Sequence, residues 1–185
     1  MGGTVTDGSA AWARLSDSDE TRVWDSFMNL TSFRASVRPD RWPGILEPQP
    51  SVTWDLARER PALSAMNWLF AVEPADVNVL LHDAFKTCVD GDEWLYVLDW
   101  QHPCYRFWPH RMTEPENDVS WAIPVFPDGD YYIFLSQDLS FGTFGHPWEA
   151  SLCVYGDRLL EAVEARNNGT LGGVLRRNGR SPRKA

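Results

Sequence analysis

Several features that would place the chain in a specialised class are scarce in this sequence. It has only three cysteines in 185 residues, Cys88, Cys104 and Cys153, and their irregular spacing does not form a disulfide framework. No apolar run approaches the roughly 18 residues that a membrane span needs. The first residues include neither a basic segment nor an apolar one, which predicts that no signal peptide is present. We therefore expect a cytoplasmic protein with reduced thiols.

Basic residues are also in the minority. Seventeen Lys and Arg residues stand against 26 Asp and Glu residues, so the formal net charge is −9. Five of the basic residues lie in the last ten positions, and without them 12 basic residues remain against 26 acidic ones, a net charge of −14. Such a field repels phosphate backbones and anionic membranes, which argues against nucleic-acid and membrane partners. We predict that the basic C-terminal segment is a flexible tail.

Aromatic residues are abundant, with 10 Trp, 9 Phe and 5 Tyr. The 43% of hydrophobic and 23% of charged residues are ordinary for a globular protein. A chain of this length is expected to bury about 70% of the surface that its unfolded form exposes, enough for a hydrophobic core. We predict a disordered segment over residues 1–11, a single domain over 12–172 and the basic flexible tail over 173–185.

Helical patterns dominate the first half of the chain. A capped helix of about fifteen residues is predicted to begin at Ser16 or Asp17. A second helix is predicted over 61–72, and a third begins at Pro74, a residue that suits the first helical turn. His82 falls on the polar face of this third helix, so we expect it to be exposed. A last helix is predicted near the C-terminus.

The second half changes to the apolar and alternating patterns of β-strands. Segments with such a pattern cover 51–56, 94–98, 105–108, 121–126, 131–135, 141–144 and 152–155. Short strands joined by tight turns favour antiparallel pairing. We therefore predict an α+β fold with a mainly antiparallel sheet of about five to six strands, flanked by helices from the N-terminal half and the C-terminus.

Two His-Pro corners combine polar groups with rigid aromatic residues. Asp99 stands at a predicted strand end, and His102, three residues after Asp99, directly precedes a proline. His146 directly precedes another proline. We expect the sheet to bring both corners to one cleft, in which these three residues are the candidate acids and bases. The residues expected to bind a ligand there are Trp100, Tyr105, Asp130, Trp148 and Glu149.

The same residues are open to other interpretations. The spacing of His102, Cys104 and His110 matches no standard zinc signature, so we predict no metal ion and no cofactor. Cys104 and Cys153 lie in apolar, strand-like surroundings, which predicts buried and inert thiols. The histidines could also be structural, each hydrogen-bonded to a backbone carbonyl at a turn stiffened by proline.

Three segments, LDWQHPCYRFWP, PDGDYYIFL and GTFGHPWEASLCVYG, together resemble a bacterial, mainly actinobacterial family, domain of unknown function 2716. The resemblance covers roughly residues 40–165 and implies a small cytoplasmic protein. It implies no activity, cofactor or catalytic residue. The shorter segments GDYYIFL and GHPWE also look like strands of the bacterial immunity proteins that accompany polymorphic toxins, a likeness at the level of fold.

From these patterns we predict a non-enzymatic binding or protein-interaction domain of the immunity type. An acidic surface with projecting aromatic residues can cover the basic groove of a nuclease and associate rapidly through electrostatic steering. The alternative is a small-molecule enzyme or ligand binder that uses the His, Asp and aromatic cleft.

Overall fold

The computed structural model describes residues 10–57 and 72–182. Its strands are β1 (Trp12–Arg14), β2 (Ser51–Asp55), β3 (Leu95–Asp99), β4 (Tyr105–Phe107), β5 (Tyr132–Leu135), β6 (Gly142–His146), β7 (Ser151–Tyr155) and β8 (Val174–Arg177). They form one sheet in the order β1-β4-β3-β5-β6-β7-β2-β8, in which all neighbours are antiparallel. The predicted α+β class and the mainly antiparallel sheet are confirmed, but the predicted five to six strands are too few.

Two short edge strands account for the larger sheet. β1 pairs with β4 at one edge, and β8 pairs with β2 at the other. Residues 174–177, which the sequence interpretation included in a flexible tail, thus belong to the sheet. Residues 121–126 were predicted as a strand, yet they form an irregular segment in which Pro124 has no amide to donate.

The described residues contain three α-helices: α1 (Asp17–Thr31), α2 (Pro74–Cys88) and α3 (Asp157–Glu164). All three were predicted, whereas the predicted helix over 61–72 lies almost entirely outside the described residues, as does most of the 1–11 segment. None of the helices in the described ranges is long and apolar enough to cross a membrane.

The sheet is covered on both faces. Side chains alternate along each strand, so Leu152 and Val154 of β7 join a core with α2 and α3, whereas Cys153 and Tyr155 join a core with α1. Sheets buried on both faces have strands that are apolar at successive positions, which is the pattern that β3 and β7 show.

Helix α1 and the segment after it cover the sheet face that bears the candidate site. The Ser16 side chain caps the helix by accepting a hydrogen bond from the amide of Asp19. After the helix ends, residues 32–50 continue across the same face, and the amide of Leu46 donates back to the carbonyl of Thr31. This segment contacts Tyr131, just before β5, through the amide of Ser36, and His146 of β6 through the ring of Trp42.

The polar face of α2 is covered by protein. His82 is only 2% exposed, and its Nε2 lies 2.9 Å from the carbonyl oxygen of Pro109. Asn78 on the same face accepts a hydrogen bond from the amide of Val125. The prediction that His82 is exposed is therefore wrong, because residues 109–126 lie over this side of the helix. Helical periodicity identifies a polar face, but it carries no information about a distant irregular segment that covers that face.

Candidate functional site

One end of the sheet collects most of the predicted site residues. Asp99 at the end of β3 is aligned with Tyr132 at the start of β5, which is aligned with Gly145 near the end of β6. His102, in the loop after β3, and His146, the last residue of β6, therefore lie at the same end of the sheet, with β5 between the two strands. We call this region the sheet-end site, and it consists of Asp99, Trp100, His102, Asp130, Tyr131, His146 and Trp148.

The exposed part of the sheet-end site joins one histidine to two carboxylates. His102 Nδ1 lies 3.2 Å from Oδ1 of Asp99 and 3.6 Å from Oδ2 of Asp130. The other oxygen of Asp130 accepts a 2.7 Å hydrogen bond from the amide of Tyr131. The turn before β5 thus brings Asp130, 28 positions after His102 in the chain, into the first His-Pro corner.

The pKa of Asp99 reflects its burial and the other carboxylates that lie near it. Burial raises the pKa of Asp99, and the nearby charges of Asp130 and Asp128 act in the same direction, while His102 opposes them. Because Asp99 contacts Nδ1 of His102, Nε2 is the ring nitrogen left to take or give a proton. The pair could therefore act as a carboxylate-oriented base or as part of a metal site.

His146 has a different environment. Its ring is completely buried among aromatic rings, with centroid distances of 4.9 Å to Tyr131, 5.3 Å to Trp42 and 6.3 Å to Trp148. The Nδ1 atom accepts a hydrogen bond from the amide of Glu149, so the proton of the neutral imidazole is on Nε2. Burial lowers the pKa of His146 to about 4, which makes the ring neutral at pH 7.

The two imidazoles do not open into one cleft, contrary to the prediction. The side chain of His102 is 59% exposed, whereas His146 is completely buried. An acid or base must reach the group with which it exchanges a proton, so His146 does not fit the predicted catalytic role. Two surface depressions border α3, and none of the sheet-end site residues lines them.

Glu149 was predicted to bind a ligand but is engaged in a buried ion-pair network, formed by Glu47, Glu149 and Arg176. Both carboxylate oxygens of Glu149 accept hydrogen bonds of 2.7 Å from Arg176, whose Nε donates to Glu47 at 2.7 Å. Ser151 donates a further bond to Glu149. Burial alone would raise the pKa of Glu149, but the bonds from Arg176 and Ser151 hold it below its usual value.

Sequence reasoning missed Glu47 and Arg176. Glu47 lies in a proline-rich connection, and Arg176 lies among the basic residues that were assigned to the tail. The two side chains are 129 positions apart and meet only because β8 pairs with β2. No local signal in the sequence marks such a pair.

The aromatic residues predicted to bind a ligand, Trp100, Tyr105 and Trp148, do not form a single wall of the cleft. Trp100 packs on Phe33 in the core beneath α1, with ring centroids 5.2 Å apart, and Trp148 packs on Tyr131 at 5.2 Å. Tyr105 packs against the opposite core, with α2 and α3. It is therefore not part of the wall, because alternation along β4 directs it to the other face.

The thiols do not supply a nucleophile to this site. Cys104 and Cys153 are buried, as predicted. Burial raises the pKa of Cys104 to about 11, so its thiol stays protonated at pH 7. Its sulfur lies 3.6 Å from the carbonyl oxygen of His102 and helps to hold the corner.

Similarity to known proteins agrees with the motifs of this region. A family model described as "Protein of unknown function (DUF2716)" matches residues 14–160, a range that includes the whole sheet-end site and ends before β8. The chain belongs to this family. The resemblance inferred from the three sequence segments is thereby confirmed.

Among relatives of this DUF2716 protein is "Uncharacterized protein YxiI" of Bacillus subtilis (strain 168). The two are 31% identical over 153 residues, which are 83% of this chain and 92% of the relative. No solved structure matches the chain. Neither match assigns an activity, so function is argued from the geometry of the site.

Proposed function

We propose that this protein is a non-enzymatic, cytoplasmic protein-interaction domain that binds a basic protein partner through the sheet-end site. The observation that carries the proposal is the exposure of Trp148. It is 43% exposed and follows the buried end of β6, in a site that also contains the carboxylates of Asp99 and Asp130. Tryptophan is among the residues that contribute most to protein–protein binding energy when an interface covers them.

The aromatic surface is held in place before any partner binds. Trp148 packs on Tyr131, whose hydroxyl donates to the carbonyl of Ser36 at 3.1 Å and accepts from the amide of the same residue at 2.9 Å. A side chain that is already ordered loses less conformational entropy on association. This supports a binding role for the surface.

Charge supports a basic partner. Asp99, Asp128 and Asp130 lie around the corner formed by β3 and β5, and the whole chain carries a formal net charge of −9. Complementary charge at the rim of an interface raises the association rate and selects among partners. A nuclease with a basic substrate groove is the kind of protein that such a surface would cover.

The proposal is tested by co-expression with the products of neighbouring genes, followed by titration calorimetry of any complex. We expect Trp148→Ala to raise Kd at least about 30-fold, which corresponds to about 2 kcal/mol. Raising the salt concentration should slow association of the wild-type protein.

Val119→Ala is the matched control, because Val119 is an apolar residue that is 88% exposed and is not part of the sheet-end site. Its Kd should equal that of the wild type. A complex that Trp148→Ala leaves unchanged would place the interface elsewhere, and the lack of any complex with the neighbouring gene products would contradict the interaction role.

A further inference from the structure

We propose that Asp99, His102 and Asp130 form a binding site for a divalent transition-metal ion, with Zn²⁺ as the ion that the donor set suits best. The ligand atoms are Nδ1 of His102 and one oxygen of each carboxylate. This inference goes beyond the proposed function: it uses three residues of the sheet-end site, but metal binding requires neither Trp148 nor a partner.

The spacing of the donor atoms supports a metal site. All three donor atoms lie within 4.8 Å of one another, with 3.2 Å and 3.6 Å from Nδ1 to the two carboxylate oxygens. Bonds of about 2.0–2.2 Å at tetrahedral angles place zinc ligands roughly 3.3–3.6 Å apart. The donors thus need only small shifts to surround one ion, and the exposed His102 ring is free to make them.

The carboxylates are oriented by the fold. The amide of Tyr131 bonds Oδ1 of Asp130 and leaves Oδ2 directed to His102. Such bonds to the outer oxygen of a ligand fix its direction and strengthen metal binding. The side chain of Asp99, 15% exposed, is fixed at the end of β3.

The negative charge of the two carboxylates also favours the binding of a cation. The side chains of Asp99 and Asp130 are 15% and 19% exposed, and the charge of Asp130 disfavours the charged form of Asp99. In the described ranges, His102 is the sole basic side chain within ion-pairing distance of either carboxylate. A divalent ion carries enough positive charge to neutralise both carboxylates.

The donor chemistry selects the class of ion. One imidazole nitrogen with two carboxylate oxygens suits borderline metals such as Zn²⁺, whereas Ca²⁺ takes six to eight oxygen ligands. Cys104 lies nearby, but its buried sulfur contacts the carbonyl oxygens of Asp99 and His102 and is outside the donor group. Three protein ligands leave a position for water or for a group of another molecule.

The test titrates the untagged, metal-free full chain with Zn²⁺ by calorimetry, and with Co²⁺ by visible absorption, which reports tetrahedral coordination. We expect one ion per chain. His102→Ala and Asp130→Asn should each raise Kd at least about tenfold. His102 is exposed and Asp130 lies in a turn, so circular dichroism should show both variants folded.

Asp128→Asn is the matched control, since Asp128 is acidic and two residues from Asp130 but bonds the hydroxyl of Tyr132 outside the donor group. It should bind Zn²⁺ like the wild type. Absence of binding at about 1 mM Zn²⁺, or equal affinity in the wild type and both ligand variants, would overturn the assignment.

Discussion

Replacing Arg176 with alanine is expected to lower the free energy of unfolding by about 3–5 kcal/mol. The variant would leave two carboxylates without their counter-ion, and the side chain of Glu47 is only 1% exposed. A buried charge that loses its partner costs far more than an exposed one, because water cannot replace the lost interaction. Urea denaturation measures the change directly, and for a chain of this size the melting temperature should fall by about 6 to 20 °C.

The adjacent residue provides the control. Arg177 pairs with Glu164 at 3.2 Å, but both side chains are about half exposed or more. Exposed pairs contribute about 0–1 kcal/mol, so Arg177→Ala should unfold close to the wild-type midpoint. Equal losses in the two variants would show that positive charge in β8, rather than the buried network, accounts for the stability.

Acidification from about pH 6.5 to pH 4 is expected to remove on the order of 3 kcal/mol of stability through His146 alone. Its pKa is about 4 in the folded chain, against 6.5 ordinarily, so the unfolded chain binds the proton first. The stabilising contribution is complete above pH 6.5 and is lost as the pH falls towards 4. Denaturation curves recorded at several pH values give the slope of the free energy of unfolding against pH.

The variant His146→Asn isolates this contribution, because the Asn side-chain oxygen can accept the hydrogen bond that Nδ1 accepts from Glu149. His82, whose pKa burial also lowers, titrates in the same direction and remains in both proteins. The difference between the wild-type and variant slopes therefore belongs to His146. Parallel slopes between pH 6.5 and 4 would refute the assigned pKa.

The sequence was sufficient to predict those parts of the fold that carry a strong local pattern. Leu95–Asp99 and Ser151–Tyr155 are apolar at successive positions because both faces of the sheet are buried. The start of α1 followed from Ser16 and the acidic residues after it. In each case the signal lies within a few residues of the element that it specifies.

The edge strands could not be predicted in the same way. Trp12–Arg14 has three residues, and Val174–Arg177 has two consecutive arginines, so neither shows alternation. Both become strands because an adjacent strand offers unpaired backbone groups. Conversely, Trp121, Ile123 and Val125 are buried in the core that contains α2, although none of the three lies in a strand.

In the candidate site, too, contacts between residues near in sequence could be predicted, whereas contacts that depend on distant segments could not. Asp99 and His102 are three residues apart, and their contact follows from the turn after β3. That Asp130 meets them depends on the pairing of β3 with β5, and the burial of His146 depends on Trp42, which lies 104 positions earlier. Residue types identified the candidates, but burial by distant segments decided which of them are accessible.

The position of β8 has a practical consequence for shortened forms of the protein. The family match ends at residue 160, so a fragment cut to that boundary would lack Arg176 and half of α3. It would retain Glu47 and Glu149 without the positive charge of Arg176 that pairs with them. It would also leave the backbone of β2 unpaired at an exposed edge, where another chain could pair with it. Fragments for biochemical work should therefore extend through the arginine pair and the turn that follows it.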